Sequence, residues 1–224
     1  MTGRSSTPRT WAGRFITFEG VDGSGKSTQL AALAATLTDR GVPVVTTREP
    51  GGTPLGEAIR GVVLDHAFVG MSARAELSLY LASRAEHVDR VIRPALERGA
   101  LVLCDRFTEA TLAYQAYGRG LPFDEVTVLT RFAAGGLEPD LVVLLDLPVE
   151  DGLLRVRERR DPNRLDGETV TFHRRVREGY LALAAAAPRR FAIVDARRPI
   201  DEVRRAIWAA VEPLCAAAAS GGRP

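Results

Sequence analysis

One glycine-rich segment constrains the fold of this chain more than any other. Residues Gly20–Thr28 read GVDGSGKST and match the pattern GxxxxGK[ST]. The run Phe15–Glu19 before it is rich in β-forming residues, and the stretch Lys26–Arg40 after it is rich in Ala, Leu and Gln and ends at Gly41. A strand, such a loop and a helix in this order present backbone N–H groups and a helix N-terminus to phosphate. The pattern therefore predicts a site for a nucleoside triphosphate.

Residue usage points to the same loop. Lys26 is the only lysine, and all other members of the 30 Lys and Arg residues are arginines. An ammonium is a compact point charge on a flexible stem, which suits contact with terminal phosphates, whereas a guanidinium is a planar fork. Lys26 is therefore predicted to act on phosphate as a catalytic residue.

Length and charge exclude several other classes of protein. A chain of 224 residues fits one α/β domain. The net charge of +2 is too small to indicate a nucleic-acid partner. Cys104 and Cys215 match neither a disulfide framework nor a metal-ligand spacing, and no apolar run reaches the ~20 residues of a membrane span. We therefore expect a cytoplasmic protein with no membrane and no nucleic-acid contact.

Strand and helix signals alternate along the chain. Besides Phe15–Glu19, strands are predicted at Val42–Thr47, Ala100–Cys104, Asp140–Asp146 and Phe191–Val194. Besides the helix after the loop, helices are predicted at Thr53–Leu64, Ser72–Arg98 with a kink or break at Pro94, Glu109–Tyr117, Phe123–Ala134, Val149–Arg160, Val170–Ala187 and Ile200–Cys215. This alternation predicts an α/β fold with a doubly wound parallel sheet. It forms a single domain over residues 14–215, and residues 1–13 and 216–224 are expected to be disordered.

Three segments carry chemistry suited to a second ligand. Residues 47–60, TREPGGTPLGEAIR, form a Pro-Gly-Gly turn and a helix from which Arg60 can reach the carboxyl edge of the sheet. Tyr80 and Arg84 lie four residues apart on one helix face, where a ring can stack on a base and a guanidinium can donate to a base carbonyl. Residues 105–115, DRFTEATLAYQ, follow the third strand.

The start of that third segment also predicts a metal site. The Asp105 carboxylate can hold Mg²⁺ through water, the Ser27 hydroxyl is placed to bind the same ion, and the Arg106 guanidinium can grip a phosphate with two hydrogen bonds.

Taken together, these motifs resemble bacterial thymidylate (dTMP) kinases, in the nucleoside monophosphate kinase group of P-loop proteins. The matching stretches run from Phe15 to about Val203, and the TREPGGT and DRF…AYQ runs are specific to that family in combination. The resemblance implies a P-loop fold with strand order 2-3-1-4-5, helices on both faces and a short lid at about residues 155–169. It also implies Mg²⁺, a homodimer, and transfer of the ATP γ-phosphoryl group to dTMP, giving dTDP for dTTP synthesis.

The resemblance assigns roles residue by residue. Arg106 and Arg60 would hold the acceptor phosphate, and Asp22 would contact the sugar 3′-hydroxyl. Tyr80 would stack on thymine, Arg84 would bond O4, Thr111 would approach N3, and Tyr114 would crowd the sugar 2′ position. Arg48 would support the site structurally. The ATP-binding residues would be Gly20, Val21, Asp22, Gly23, Ser24, Gly25, Lys26, Ser27, Thr28 and, beside adenine, Arg155.

A catalytic arginine is expected on the lid. Family members carry it either in the phosphate loop or on the lid, and Gly23 follows Asp22 here, so the loop has none. Arg157 and Arg164, in the basic stretch that resembles the lid, are the two candidates. Two departures from the family pattern, Ala110 for Ser and Asn163 for Asp, remove a hydroxyl and a charge near these sites.

Two other functions stay open at this point. The first is a kinase with a broader range of nucleoside monophosphate acceptors. The second is a P-loop GTPase or ATPase that acts as a switch through a partner. No hhhhDxxG run and no NKxD motif occur, and no second lysine exists to form one, which argues against the switch.

Overall fold

A parallel β-sheet of five strands lies at the centre of the computed structural model, which describes residues 13–158 and 163–220. The strands are β1 (Arg14–Glu19), β2 (Val44–Arg48), β3 (Leu101–Asp105), β4 (Leu141–Asp146) and β5 (Phe191–Asp195). They follow the order β2-β3-β1-β4-β5, which confirms the predicted order.

The central position of β1 decides where the site forms. Phe15 on β1 pairs with Val102 on β3, and Thr17 on β1 pairs with Val142 on β4. Residues 15–19 are fully buried. Strands covered on both faces are uniformly apolar, and this is the pattern of β4. Since all five strands are parallel, their carboxyl ends meet at one edge, where ligands bind in such folds.

Helices cover both faces of the sheet. The described α-helices are α1 (Lys26–Asp39), α2 (Pro54–Leu64), α3 (Ala73–His87), α4 (Arg93–Glu97), α5 (Thr108–Thr111), α6 (Phe123–Ala133), α7 (Val149–Arg157), α8 (Val170–Ala186) and α9 (Ile200–Ser220). Apolar residues of α1, α8 and α9 pack on one face, and those of α4 and of the segment Val88–Ile92 before it pack on the other.

The long helix predicted over 72–98 is interrupted by a wider turn. A π-helical segment, Val88–Ile92, separates α3 from α4. Pro94 then lies in the first turn of α4. Proline has no N–H and its ring collides with the carbonyl four residues earlier, so a regular helix cannot pass through it unchanged. The break was predicted, but it takes the form of a π turn before the proline.

A second π-helical segment shapes the edge of the site. The helix predicted at 109–117 is a short α5 followed by the π-helical Leu112–Gly118. Such widened turns change the direction of side chains, and they are frequent at functional sites. Thr111 and Tyr114, on either side of the change, both line the cleft described below.

The ends of the chain differ from the prediction where the structure describes them. Gly13 donates its N–H to the Leu96 carbonyl, and α9 continues to Ser220 instead of ending at 215. The predicted disorder at residues 1–12 and 221–224 lies outside the described residues. In the segment predicted to form a lid, a 3₁₀ turn spans Arg164–Gly167. The helix predicted to run to Arg160 ends at Arg157, and residues 159–162 are likewise outside the described part.

Candidate active site

The glycine-rich loop adopts a conformation that other residues could not follow. Gly20 has φ 134°, and a Cβ atom there would lie 2.4 Å from the Leu145 carbonyl oxygen. Gly23 has φ 79°, and its Cβ would meet the Gly152 carbonyl oxygen at the same distance. Gly25 caps α1 in the left-handed conformation without any side-chain hydrogen bond. The first N–H groups of α1 are therefore left to an incoming anion.

Lys26 reaches back across this loop. Its Nζ atom donates to the carbonyls of Gly20 (3.1 Å) and Val21 (2.9 Å), and the side chain is buried. Burial, with the nearby Arg106 guanidinium, lowers the pKa of Lys26 to about 8, against the opposing charges of Asp22, Asp105 and Glu19. Two of the three ammonium hydrogens hold the loop, which leaves one for a phosphate.

The depressed pKa of Lys26 gives a prediction for nucleotide binding. A bound triphosphate favours the charged ammonium, so affinity should fall as Lys26 loses its proton above pH 8. The dissociation constant for ATP should rise about tenfold between pH 7 and pH 9. Calorimetric titration across that range measures it. Lys26→Met should bind weakly with a flat profile, and an equally steep rise in this variant would show that another group titrates.

Ser27 and Asp105 meet as the sequence predicted. The Ser27 hydroxyl donates to Asp105 Oδ2 at 2.7 Å, across 78 residues of chain. Hydroxyl and carboxylate oxygens suit Mg²⁺, which usually keeps several waters and takes the rest of its ligands from substrate phosphates. Within residues 13–158 and 163–220, no three acidic, His or Cys side chains cluster as a metal cage. The two oxygen ligands of Ser27 and Asp105 suit an ion that takes its remaining ligands from a nucleotide and from water.

A hydrogen-bonded group beside the loop consists of Arg106, Asp22 and Tyr114. Arg106 Nη2 donates to Asp22 Oδ1 (2.8 Å) and to the Tyr114 hydroxyl (3.1 Å), and that hydroxyl donates to Asp22 Oδ2 (3.0 Å). Arg106 Nη1 donates to the Gly20 carbonyl and the Tyr180 hydroxyl. Burial opposes ionisation of Asp22, but the charges of Arg106 and Lys26 hold the pKa of that carboxyl well below its usual range. The cationic side chain is thereby fixed next to the phosphate loop.

The backbone at Arg106 is itself unusual. Its φ is 72°, and no other non-glycine residue in the described part of the chain has a positive φ. Phe107 N, directly after it, donates to Glu19 Oε1 at 2.7 Å. Glu19 Oε2 accepts from the Tyr180 hydroxyl at 2.9 Å, and burial, reinforced by Glu109, raises the pKa of Glu19 to about 8. Strain of this kind persists only where surrounding contacts hold it.

A cleft of about 450 Å³ extends from the loop along the carboxyl edge of the sheet. Arg60 is half-buried in its wall and donates to the Pro50 carbonyl at 3.0 Å. Arg48 also lines the cleft and pairs with Glu57 at 2.9 Å. Of the predicted site residues, the cleft brings together Asp22, Gly23, Gly25, Lys26, Ser27, Thr28, Arg60, Tyr80, Arg84, Asp105, Arg106, Thr111 and Tyr114.

The far wall of the cleft is polar but buried. Arg84 is 2% exposed, and its Nη1 donates to Thr111 Oγ1 at 2.9 Å. Tyr80, one turn earlier on α3, lines the same wall, and burial raises the pKa of its phenol. Ala110, where the family pattern has Ser, lines the cleft as well. An aromatic side chain beside an arginine and a threonine suits a ligand whose planar ring has polar groups at its edges.

The two candidate lid arginines lie in different surroundings. Arg164 is buried: its Nε donates to the Val63 carbonyl (3.0 Å) and its Nη2 to Glu76 Oε2 (2.6 Å). The structure therefore does not bring Arg164 to the phosphate loop. Arg157 is exposed at the end of α7. Arg155 Nη1 donates to the Gly23 carbonyl at 3.2 Å, which places this predicted ATP-binding residue against the loop.

Several site residues were missed at the sequence level. Glu76, a fully buried acid, accepts hydrogen bonds from Arg164, Arg119 and Gln115. No sequence spacing links these positions. The role of Glu19 could have been predicted from its position in the sequence. An acid that ends an apolar strand beside a phosphate loop is buried and therefore needs a hydrogen-bond partner.

One cleft thus has a helix N-terminus and a lysine at one end and arginines at the other, an arrangement that suits two anionic ligands. Proteins arranged in this way on a 2-3-1-4-5 sheet form the nucleoside monophosphate kinase class of P-loop proteins. Residues 18–207 match the family model described as thymidylate kinase, and the chain belongs to that family.

Individual relatives agree with this assignment. The chain is 52% identical to thymidylate kinase of Desulfovibrio desulfuricans over 205 residues, covering 88% of this chain and 94% of the relative. It is 54% identical to thymidylate kinase of Deinococcus radiodurans over 199 residues, covering 89% and 96%. A crystal structure of thymidylate kinase from Ehrlichia chaffeensis superposes with a TM-score of 0.73 at 33% identity, covering 89% of this chain and 98% of that one.

Among the described residues, no helix combines the length and the apolar character that crossing a bilayer requires.

Proposed function

We propose that this protein transfers the γ-phosphoryl group of ATP to dTMP, giving dTDP. The observation that carries the proposal is the single cleft that joins the Lys26 loop to the Arg106–Asp22–Tyr114 group and to the Arg84–Thr111 wall. Membership of the thymidylate kinase family supports the same reaction.

The donor half of the site acts through position and charge. Backbone N–H groups from Gly20 to Thr28 and the Lys26 ammonium hold the triphosphate, and Arg155 lies beside the loop toward the adenosine end. Ser27 and Asp105 are the residues that would hold Mg²⁺. When bound, the ion neutralises charge on the β- and γ-phosphates. The protein itself needs no general base, because a phosphate acceptor oxygen is already ionised at neutral pH.

The acceptor half contacts the phosphate, the sugar and the base of the acceptor nucleotide. Arg106 and Arg60 hold the acceptor phosphate in line with the donor, which removes much of the entropic cost of the reaction. Asp22 accepts from the sugar 3′-hydroxyl, and Tyr114, hydrogen-bonded to Asp22, crowds the 2′ position. Tyr80 stacks on thymine, Arg84 donates to O4, and Thr111 meets the N3 edge.

A coupled assay with ATP and a panel of nucleoside monophosphates tests the assignment. We expect dTMP to give the highest kcat/KM, and Tyr114→Ala to raise acceptance of ribonucleotides relative to dTMP. Faster turnover of UMP or AMP than of dTMP would support the broader kinase. Slow hydrolysis with no transfer to any acceptor would support the switch protein.

The lid arginines give a separate prediction. We propose that exposed Arg157 contacts the transferred phosphate and that Arg164 anchors the lid. Arg157→Gln should then lower single-turnover transfer by about 10³–10⁵-fold, as loss of an arginine finger does elsewhere. Arg164→Gln should instead cost about 1–3 kcal/mol of stability, because Glu76 keeps its buried charge with one partner fewer. Rapid-quench kinetics and thermal melting measure the two effects.

The same series includes Arg159→Gln and Arg160→Gln, which lie outside the described residues. A large kinetic loss in either of these, or in Arg164→Gln, with near-normal transfer in Arg157→Gln would contradict the choice of Arg157.

We also propose that the protein is a homodimer in the cytoplasm, where its two nucleotide substrates are dissolved. The outer face of α6 supports the dimer, since Val128 and Phe132 are 67% and 85% exposed and form part of an apolar surface that single chains rarely leave uncovered. Phe132→Asp is expected to yield monomers in sedimentation velocity. Ile193→Asp, at an exposed apolar position on β5, serves as the control and should leave the dimer intact. Unchanged sedimentation of Phe132→Asp would place the interface elsewhere.

A further inference from the structure

A chain of four polar side chains, three of them buried, lies behind the cleft wall. Thr47 Oγ1 lies 2.6 Å from His87 Nε2, and His87 Nδ1 lies 3.0 Å from Glu49 Oε1. Glu49 Oε2 accepts from Arg84 Nε at 2.8 Å. His87, Arg84 and Glu49 are 0%, 2% and 4% exposed. Burying charged groups is costly unless every member is paired, and here each member has a partner.

Most of the N–H donors of Arg84 already have partners within the protein. A guanidinium carries five N–H donors in a fixed plane. Nε binds Glu49, and Nη2 lies within reach of both Glu49 Oε2 (2.7 Å) and the Phe107 carbonyl (2.9 Å). Nη1 donates one hydrogen to Thr111 Oγ1. Three donors are thus hydrogen-bonded to the protein and a fourth, on Nη2, lies against Glu49, so one Nη1 hydrogen remains for a ligand in the cleft that Arg84 lines.

Glu49 fixes the orientation of the Arg84 guanidinium. Its Oε2 atom contacts both Nε and Nη2 of Arg84, so the guanidinium plane cannot rotate without breaking both contacts. His87 holds the other oxygen, Oε1, and thereby fixes the plane of the carboxylate. Without His87, Glu49 would be free to turn about its terminal bond, and Arg84 would turn with it.

We propose that Glu49, oriented by His87, is a positioning residue for base recognition: it holds Arg84 so that a single N–H donor faces the base. A single fixed N–H donor can bond the oxygen of a 4-oxo pyrimidine. It disfavours a 4-amino pyrimidine, because the amino group is also a hydrogen-bond donor and the two N–H groups would face each other. The inference rests on the proposed role of Arg84 as the residue that reads the base. It adds that the discrimination depends on a carboxylate and an imidazole that lie behind it.

Glu49→Gln tests the proposal with little change in size. The amide has no charge with which to hold the guanidinium, and its NH₂ group replaces the oxygen, Oε1, that faces His87 Nδ1. We expect KM for dTMP to rise ten- to a hundredfold, with a smaller change in kcat and no change in KM for ATP. The ratio of kcat/KM for dTMP to that for dCMP should fall at least tenfold. A fall in melting temperature with that ratio unchanged would overturn the proposal.

A second variant keeps the test decisive if Glu49→Gln does not fold. His87→Gln leaves the Glu49–Arg84 pair in place but changes the group that orients it, and it should lower the same ratio by a smaller factor. An unchanged ratio in this soluble variant would also overturn the role of His87.

Arg84→Met separates this inference from the proposed function beneath it. If Arg84→Met leaves the preference for dTMP over dCMP unchanged, the base-reading role of Arg84 is itself wrong. If Arg84→Met removes the preference while Glu49→Gln keeps it, Arg84 reads the base and the positioning role of Glu49 is wrong.

Discussion

Lys26→Arg is expected to lower kcat for phosphoryl transfer by about 10²–10³-fold, although the charge is kept. The Lys26 ammonium sits in a buried position where it donates to two loop carbonyls, 3.1 and 2.9 Å away. A guanidinium is wider and planar, so it cannot occupy that position and also direct one donor at a phosphate. Either the carbonyls of Gly20 and Val21 lose their partner, or the loop moves. Single-turnover kinetics with saturating ATP and dTMP measure the loss.

Two comparisons isolate this effect. Lys26→Met, which removes the charge and keeps much of the length, should be at least as slow as Lys26→Arg. Both variants should retain dTMP affinity in calorimetry, because the acceptor is held by other residues. Turnover of Lys26→Arg within tenfold of the parent would mean that the only lysine of the chain stands there by accident of composition.

Arg106→Lys is expected to lower kcat/KM for dTMP by about 10²–10³-fold. Arg106 donates to four groups at once, among them Asp22 and the Gly20 carbonyl, which leaves its Nε donor for the proposed acceptor phosphate. A lysine has three donors on one atom, so it cannot hold the same four partners and also contact a phosphate. Steady-state kinetics with dTMP varied measure the change.

The design of this variant separates side chain from backbone. Lysine at position 106 would have the same strained backbone, φ 72°, as arginine, so any stability change from that source is held constant. Arg98→Lys, on the exposed turn after α4, is the matched control and should leave kcat/KM for dTMP unchanged. A loss smaller than tenfold in Arg106→Lys would show that Arg106 supports Asp22 and does not hold the acceptor.

The pair of Ser27 and Asp105 shows what motif reasoning can reach. Ser27 belongs to the loop pattern, and Asp105 directly follows a predicted strand, so both were expected at one edge of the sheet. The structure joins them at 2.7 Å. They lie together because parallel strands bring their carboxyl ends to one edge whatever lies between them in sequence.

The lid arginines show where such reasoning stops. Arg157 and Arg164 were chemically equivalent candidates within one basic run. Glu76, 88 residues before Arg164, accepts its guanidinium in a buried position and makes the two different. A single sequence has no local signal for a pairing of that length, because it depends on how α3 and the lid pack.

The site around Arg106 combines both situations. Its type and its place after β3 were readable from the DRF motif, whereas its positive φ and its support by Glu19 and Tyr180 were not. Backbone strain depends on the contacts that impose it, and those contacts come from β1 and α8.

The sequence by itself determined the parts of this protein whose chemistry is contiguous: the phosphate loop, its lysine, the alternation of strands and helices, and the motifs that carry the family resemblance. These depend on neighbours within a few residues, so the order of amino acids specifies them directly. Only the tertiary structure decided which of many arginines face the cleft and which are held by buried acids. A charged side chain in a folded protein is defined by its burial and its partner, and Glu49 with Arg84, like Glu76 with Arg164, became partners only when distant segments packed together.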